Sequence, residues 1–169
     1  MRSLTLLTIF FYFFTALNAT THTTVRNGDW DDASTWNTGR VPTIDSWPGD
    51  QVIINHKVEA DSNLSFNGSL SANGNLVVEG KISLSGVAQF YTDGNIYCEK
   101  LEVKGSGAFE SKGGMIQIED EWKITGGTEV QITNTEIVVE EKFNRTGGPN
   151  ISFSGGTLSV GEHFVGKGG

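Results

Sequence analysis

Apolar and polar residues alternate along the chain from Leu76 to Phe164, and the alternation recurs in rows of about 20 residues. The first row shows the pattern, with apolar residues at Leu76, Val78, Ile82 and Leu84 and polar residues among them. This two-residue period is that of a β-strand with one buried side. Glycines punctuate every row, and β-branched and aromatic residues are common, which favours strands and tight turns over helix.

Four apolar positions recur in successive rows, and each position defines a column. The columns are Leu76, Ile96, Ile116, Ile137 and Leu158; Val78, Cys98, Ile118, Val139 and Val160; Ile82, Leu101, Trp122, Phe143 and Phe164; and Phe90, Phe109, Val130 and Ile151. A glycine follows the third column by four residues, at Gly86, Gly105, Gly126, Gly147 and Gly168.

A row holds about three short strands, which are too few to enclose a core, so each row must bury its apolar side against the next one. Connections between parallel strands are overwhelmingly right-handed. The prediction is therefore an all-β protein, a right-handed, single-stranded parallel β-helix (a solenoid) with coils of about 20–21 residues.

The repeats divide the chain into a signal peptide, an N-terminal cap and a repeat region with an open C-terminal end. These parts cover residues 1–19, 20–51 and 52–169. The second boundary rests on Val52, Ile54 and Val58, whose spacing matches that of the first apolar residues of the next row. We therefore expect Val52 to align with Leu76 in the stack.

The first 19 residues have the form of a secretory signal peptide. They contain the basic Arg2, an apolar run over residues 4–14, and Ala19 ahead of polar residues. A membrane anchor is the alternative, but the apolar run is shorter than the roughly 20 residues that a spanning helix needs. The sequence predicts a secreted protein of the extracellular space or cell surface, with no membrane span once the leader is removed.

Tryptophan, proline and aspartate are concentrated between Val25 and Asp61, ahead of the regular rows. The first coil of a solenoid exposes a strand edge and an apolar end that need a cover. Trp30, Trp36 and Trp47 are the predicted lid. The alternative is a glycan-binding platform made by the same three residues, since an aromatic face also stacks on a sugar ring.

The order of residues in this segment resembles the start of the eight-glycine domain family. The resemblance is carried by Trp30, Trp36, the Gly-Arg-Val-Pro of residues 39–42 and the Gly-Asp-Gln-Val-Ile-Ile of residues 49–54. The segment is equally similar to the N-terminal region of secreted bacterial right-handed β-helix surface proteins, including adhesin-like proteins. This resemblance implies an extracellular β-helical module, and it carries no catalytic residue onto this chain.

Charge and cysteine content exclude several classes of function. The net charge is −8 and the pI is about 4.8, so nucleic acid is not an expected partner. Cys98 is the only cysteine, so the chain forms no internal disulfide. Because Cys98 occupies an inward column, we expect it to act as a small buried hydrophobe.

One glutamate follows the second apolar column in each of four rows. This column consists of Glu79, Glu99, Glu119 and Glu140. Equivalent positions of stacked coils are about 4.8 Å apart, so four like charges would repel one another unless something compensates them. One interpretation is local pairing with Lys81, Lys100 and Lys142. The other is a metal ladder in which Ca²⁺ bridges carboxylates of neighbouring coils.

No catalytic residue is predicted, and the chain is not expected to be an enzyme. Enzymes of this fold that cleave polysaccharides need paired carboxylates, or a base with an arginine partner, in a groove. The arginines after the leader are Arg26, Arg40 and Arg145, and no such constellation contains them. Arg145 occupies a position that is apolar in the other rows, so we expect looser final coils or pairing of its side chain at an exposed edge.

Four asparagines begin Asn-X-Ser/Thr sequons, at Asn63, Asn67, Asn144 and Asn150. In a secreted eukaryotic protein these positions would be glycosylated. In a bacterial protein they would be turn residues, because asparagine tolerates the left-handed backbone conformation.

The predicted function is structural and adhesive. The repeats present polar side chains outward, among them Ser83, Ser85, Lys104, Thr125 and Thr146, and the final row has no recognisable cap. An open solenoid end invites the addition of another strand. Two interpretations follow: a module of a cell-surface adhesin that continues in a longer chain, or the subunit of a fibre that stacks end to end on itself. A glycan-binding module accompanying a polysaccharide-degrading enzyme is the alternative, with extracellular glycans as partners.

Overall fold

A computed structural model of the chain describes residues 19–45 and 50–167. Trp47 and the predicted signal peptide, apart from Ala19, lie outside the described residues. The described part contains 15 strands and a short 3-10 helix, Ala33–Thr35, but no α-helix. The strands are β1 Thr21–Thr23, β2 Gly28–Asp29, β3 Gln51–Ile54, β4 Val58–Ala60, β5 Leu64–Phe66, β6 Ser69–Ala72, β7 Leu76–Leu84, β8 Gln89–Thr92, β9 Ile96–Gly105, β10 Ala108–Ser111, β11 Met115–Gly126, β12 Glu129–Val139, β13 Lys142–Thr146, β14 Asn150–Val160 and β15 His163–Lys167.

Parallel strands stack into three faces of one coiled sheet. Face 1 contains β1, β3, β6, β8, β10 and the first halves of β12 and β14. Face 2 contains β2, β4, the first halves of β7, β9 and β11, and the second halves of β12 and β14. Face 3 contains β5, the second halves of β7, β9 and β11, and then β13 and β15. The chain is therefore a parallel β-solenoid with three strands in each coil, which confirms the predicted fold class.

All four predicted apolar columns are confirmed by the register of the strands. Column residues from Leu76 to Phe143 are buried, with no more than 2 % of their surface exposed. The aromatic rings of the third column follow one another closely, with centroids 4.7 Å apart between Trp122 and Phe143. Burial of each large side chain contributes roughly 1.5–3 kcal/mol, so the stacked columns are the main source of stability.

The predicted glycine column, apart from Gly168, which lies outside the described residues, forms one corner of the coil, between faces 3 and 1. Gly105 and Gly126 have φ angles of 88° and 85°, which favour glycine. A Cβ atom at Gly105 would lie 2.7 Å from the carbonyl oxygen of Gly86 in the preceding coil. The column is therefore fixed both by backbone conformation and by the close approach of neighbouring coils.

The predicted alignment of the first coil is wrong. Val52 pairs with Leu70 on face 1, whereas Leu76 pairs with Val58 on face 2. The spacing of Val52, Ile54 and Val58 was misleading because every pair of consecutive strands in a coil shows the same alternation of apolar and polar residues. The stack also begins before Val52, since β1 pairs with β3 and β2 pairs with β4. The segment predicted as a cap therefore contributes two strands of its own.

The N-terminal end of the solenoid, residues 21–45, is closed, and we call it the head. Trp30 and Trp36 are 3 % and 2 % exposed and pack edge to face with ring centroids 5.0 Å apart. Beside β1, an antiparallel bridge between Thr24 and Trp36 covers part of the strand edge: Val25 N–H donates to the Thr35 carbonyl and Asn37 N–H donates to the Thr23 carbonyl, both at 2.9 Å. These two tryptophans thus form the lid that the sequence predicted.

The opposite end, formed by β14 and β15, is open, and we call it the tail. Among the described strands, β14 pairs only with β12 and β15 only with β13, so one edge of each has no strand beside it. Phe153, which pairs in register with the buried Ile132, and Phe164 of the third column are 47 % and 64 % exposed. The ring of Phe164 packs on Phe143 with centroids 5.1 Å apart, and nothing in the described chain covers its other side.

Candidate functional site

The predicted sugar-stacking platform is wrong for two of its three residues. Trp30 and Trp36 are buried, and the indole Nε1 of Trp36 donates to the Trp30 carbonyl at 2.9 Å. The other side of Trp30 packs against Phe66 with ring centroids 5.8 Å apart. A buried indole has no free face for a sugar ring, so only Trp47, outside the described residues, stays a prediction as a glycan contact.

A hydrogen-bonded group, which we call the head clasp, joins the buried His22 and Asp50 to the exposed Thr38. His22 is fully buried, with Nε2 3.0 Å from Asp50 Oδ2 and Nδ1 2.8 Å from Thr38 Oγ1. Asp50 also accepts the backbone N–H groups of Thr20 at 2.8 Å and Thr43 at 2.9 Å. One carboxylate thus ties together segments that are up to 30 residues apart in the chain.

The head clasp has the hydroxyl, imidazole and carboxylate of a nucleophilic triad, but its geometry fits a structural role. The imidazole has no exposed surface, and the Thr38 hydroxyl lies 3.2 Å from a second acceptor, the Arg40 carbonyl. Burial opposes ionisation of Asp50, but the N–H donors of Thr43 and Thr20 and the imidazole of His22 outweigh it. Together they hold the pKa of the Asp50 carboxyl below its ordinary value.

The four glutamates predicted to form a calcium ladder lie exposed at the corner between faces 2 and 3. Three of them meet a donor: Tyr97 with Glu119, Gln117 with Glu140 at 2.9 Å, and Lys100 with Glu99 at 3.7 Å. The bond to the Glu119 carboxylate raises the pKa of the Tyr97 phenol. Within residues 19–45 and 50–167, no group of three His, Cys, Asp or Glu residues is arranged to hold a metal ion. Calcium binding at this column stays a prediction.

The predicted compensation of this column by lysine is wrong for two lysines. Lys81 Nζ lies 3.4 Å from Glu102, and Lys142 Nζ lies 3.3 Å from Glu121. Both lysines lie on outward positions of face 3, so their side chains meet acidic partners on that face. Only Lys100 contacts the predicted column, and its shorter ion pair, at 2.7 Å, is with Asp120.

The outward side of face 3 concentrates the lysines of the chain, and we call it the lysine face. Six of the eight lysines in the sequence occupy outward positions of its strands. They are Lys81, Lys100, Lys104, Lys123, Lys142 and Lys167. The acidic residues at outward positions of the same strands are Glu102 and Glu121, so this side has an excess of four positive charges. The face is basic although the whole chain is acidic.

Glu102 lies at the centre of the lysine face with three ammonium groups around it. Its carboxylate is 2.9 Å from Lys104, 3.2 Å from Lys123 and 3.4 Å from Lys81. Burial raises the pKa of this carboxyl, but the hydrogen bonds and charges of Lys104 and Lys123 outweigh that effect and hold it below its ordinary value. The cluster of one carboxylate and three lysines carries two net positive charges.

Cys98 and Arg145 lie where the sequence placed them. Cys98 is fully buried, and burial, followed by the charge of Glu119, raises the pKa of its thiol to about 12. Such a thiol is inert at neutral pH. Arg145 pairs in register with Ile124 but is exposed at the tail, and its Nη2 donates to the Pro149 carbonyl at 3.2 Å.

The four sequon asparagines differ in what their side chains contact. The amide nitrogen of Asn67 donates to the Asp45 carbonyl, and that of Asn144 donates to Glu121. Asn63 is exposed and uses its oxygen to accept Lys81 N–H at 2.7 Å, and Asn150 is exposed at the tail. Glycosylation stays a prediction at all four positions, and Asn63 and Asn150 present the more accessible amides.

Two features were missed by the sequence reasoning. The head clasp joins His22, Thr38 and Asp50, which belong to no repeat, so no periodic signal marks them. The lysine face did have a signal, since Lys81, Lys100 and Lys123 each directly adjoin a residue of the third apolar column. Following the outward neighbours of the columns would have shown it.

Comparison of the chain with protein-family models, with characterised proteins and with solved structures found no match. The fold and the surface define the class of protein as a β-solenoid with one closed end and one basic face. The resemblance to the eight-glycine domain family stays a prediction. In the described part of the chain, no helix has the length and apolar character needed to cross a membrane.

Proposed function

We propose that this chain is a structural β-solenoid module of the cell exterior that works by contact, as part of a cell-surface adhesin. The observation that carries the proposal is the difference between the closed head and the open tail. A closed head is a natural front end for a rod, and an open tail is a surface on which another coil can stack.

The geometry of the tail fits a further parallel coil of the same kind. The inward columns run in register into the last coil, where Leu158 and Val160 pack on the core but remain partly exposed. A following coil with apolar residues at the same positions would bury Phe153 and Phe164 and pair the free strand edges. Both the apolar surface and the unpaired backbone groups favour that arrangement over an unrelated ligand.

The same asymmetry favours an adhesin module over an endless fibre of identical copies. Head-to-tail stacking needs a free strand edge at both ends, and at the head the bridge between Thr24 and Trp36 obstructs the edge beside β1. In a solution of the isolated chain, the surface available to one tail is therefore the tail of a second copy. We expect concentration-dependent dimers and no long fibres.

The test compares the tail with other exposed apolar residues. Light scattering during size-exclusion chromatography is measured for the chain without residues 1–19, for Phe153→Lys with Phe164→Lys, and for the control Val25→Lys with Val87→Lys. The control residues are 54 % and 55 % exposed but lie away from the tail. Association should disappear in the tail variant and persist in the control.

A wild-type chain that stays monomeric at high concentration would overturn the proposed role of the tail, as would equal loss of association in both variants. Long fibres in negative-stain images would overturn the closed head. Location is tested separately in the source organism, where the native protein should be found outside the cell with an N-terminus at Thr20. An intact Met1 inside the cell would contradict export.

A further inference from the structure

We propose that the lysine face binds an acidic polysaccharide, with its carboxylate or sulfate groups on the lysines around Glu102. This goes beyond the contact role of the tail, because it concerns a side of the rod; Lys167 of β15 is the one lysine that the face shares with the tail, and the test leaves it unchanged. The partner is defined by its chemistry: a linear glycan with repeated negative charges and free hydroxyl groups.

The distribution of charge is the first step. The sequence has 20 acidic and 12 basic residues, yet the outward positions of face 3 hold six lysines and two glutamates. The other surfaces and the leader therefore carry 18 acidic and six basic residues. A single basic side on an acidic protein attracts and orients an anionic chain, while the rest of the surface repels it.

The second step is the arrangement of Lys81, Lys104 and Lys123. All three ammonium groups contact the one carboxylate of Glu102, whose side chain is 13 % exposed. The lysine side chains themselves are 37 %, 45 % and 38 % exposed, so solvent reaches them. The Glu102 carboxylate keeps three ammonium groups close together although they repel one another. It neutralises only one of their three positive charges. An incoming anionic group supplies the missing negative charge.

The third step separates a polysaccharide from a nucleic acid. Nucleic-acid grooves combine cations with aromatic side chains on which bases stack. The outward positions of face 3 carry no Phe, Tyr or Trp, but they do carry hydroxyl and amide groups between the lysines. These groups are the half-buried Thr125, Asn144 and Thr146. Hydroxyl and amide groups suit the hydroxyls of sugars, and the net charge of −8 opposes a partner as densely charged as DNA.

The bounds of the lysine face favour a ligand that runs along the solenoid axis. One border is the exposed glutamate corner, where Glu99 and Glu119 repel anions. The other border is the glycine corner with Gly105 and Gly126, which presents no side chain. A linear polyanion would therefore cross successive coils, contacting Lys123 in the middle of the face and Lys104 and Lys167 on the glycine side.

The experiment measures binding of four polymers by isothermal titration calorimetry at low and moderate salt. The probes are polygalacturonate for carboxylates, dextran sulfate for sulfates, uncharged dextran, and a random-sequence DNA duplex. Lys104→Gln with Lys123→Gln is compared with the control Lys57→Gln with Lys112→Gln, which removes the same charge from faces 2 and 1. Melting curves establish that each variant is folded.

We expect the wild-type chain to bind one or both charged polysaccharides and to release them as salt rises. The lysine-face variant should lose about tenfold in affinity and show a shallower salt dependence, since each lost contact removes roughly one released counterion. The control should lose less than about twofold. Glu102→Gln should bind several-fold more tightly, because it removes the one negative charge among the three lysines.

The last variant distinguishes a binding role from a structural one. A Glu102 that merely stabilises the coil would give a less stable protein with no gain in affinity, and that result would overturn the proposal. Equal losses in the lysine-face and control variants would also overturn it. Binding of DNA as tightly as the polysaccharides, or of uncharged dextran, would overturn the assignment to acidic polysaccharide. None of these outcomes depends on the tail, so the proposed function is tested independently.

Discussion

The solenoid ends in the same kind of coil at the head and at the tail, with apolar residues inside and strand edges at the end. Only the coil at the head is covered by other residues of the chain. At the head, Trp36 covers the apolar interior and forms an antiparallel bridge with Thr24 that lies against the strand edge beside β1. At the tail, Phe164 is 64 % exposed and β15 has one strand neighbour. The difference shows that closing a solenoid takes two separate devices, one for the apolar surface and one for the backbone.

The same difference predicts which end of the solenoid contributes more to the free energy of unfolding. A repeat protein is stabilised by contacts between neighbouring coils, so residues at a covered end have partners on both sides and residues at an open end have them on one. Substitutions of similar chemistry should therefore have unequal effects at the two ends. The predictions below test that expectation from the largest effect in the head to the smallest, and each substitution in the head is followed by its comparison or control.

The largest expected effect is that of Trp36→Ala in the head. It removes a buried indole that packs on Trp30, together with its hydrogen bond to the Trp30 carbonyl. Truncation of a large buried aromatic residue costs about 3–5 kcal/mol of the free energy of unfolding. Urea denaturation followed by fluorescence or circular dichroism measures the loss.

Phe164→Ala is the matched substitution at the tail. Because its ring packs on one side only, on Phe143, we expect a loss of less than about 1 kcal/mol. Equal losses at the two ends would show that the tail is covered in solution or that the lid contributes little. Either result would remove the distinction between a closed and an open end.

The second substitution in the head, Asp50→Asn in the clasp, is expected to cost less than Trp36→Ala. The substitution keeps the volume of the side chain but turns an amide N–H₂ toward groups that already donate hydrogen bonds, the backbone N–H of Thr20 and Thr43. Both hydrogen bonds are only partly buried, so leaving one donor unsatisfied costs about 1 kcal/mol, the lower end of the range for a buried group. Denaturant unfolding at pH 7 measures the change.

The control for this variant is Asp93→Asn, at an exposed turn in the middle of the solenoid. Its effect should lie within about 0.5 kcal/mol of zero. A loss as large as that of Asp50→Asn would indicate a general cost of removing acidic residues. The clasp would then have no special role in closing the head.

The regular part of the molecule was predictable because each coil repeats the same physical problem. Leu101, Trp122 and Phe143 stand at equal intervals beside glycines, and only stacking buries all of them, so their register followed from the sequence. The phase of the first coil did not follow, since strands of equal length offer several matching alignments and Val52 fits more than one. The pairing of Val52 with Leu70 in the structure shows which alignment the first coil adopts.

The candidate sites were less predictable for two different reasons. The head clasp depends on chain segments that meet only after folding, and His22 and Asp50 are 28 residues apart with no repeat to relate them. The lysines of the lysine face are neighbours in sequence of the apolar residues in the third column, so their outward positions could be read from the same repeats. The sequence predicted that the lysines pair with the glutamate column, and this was wrong for two of them. The register of the strands does not determine in which direction a long, flexible lysine side chain extends.

The smallest expected effect is the acid dependence of the head clasp. The pKa of Asp50 is lowered in the folded chain, so the ionised carboxyl contributes stability that is fully present above its ordinary value of 3.8. That contribution is lost as the pH falls through the lower, folded pKa. Protonation weakens the clasp less than substitution does, since a protonated carboxyl keeps an oxygen that can still accept N–H groups.

The measurement compares the unfolding free energies of the wild-type chain and Asp50→Asn from about pH 7 to about pH 2.5. Other carboxyls with lowered pKa values, such as Glu102 and Asp120, are present in both proteins, so their acid dependence cancels in the difference. The difference should be constant above pH 3.8 and shrink below it. A difference that shrinks well above that pH would mean that Asp50 is protonated in the folded head at mild acidity. The clasp would then rest on a neutral hydrogen bond, and the covered end would owe its stability to the tryptophans alone.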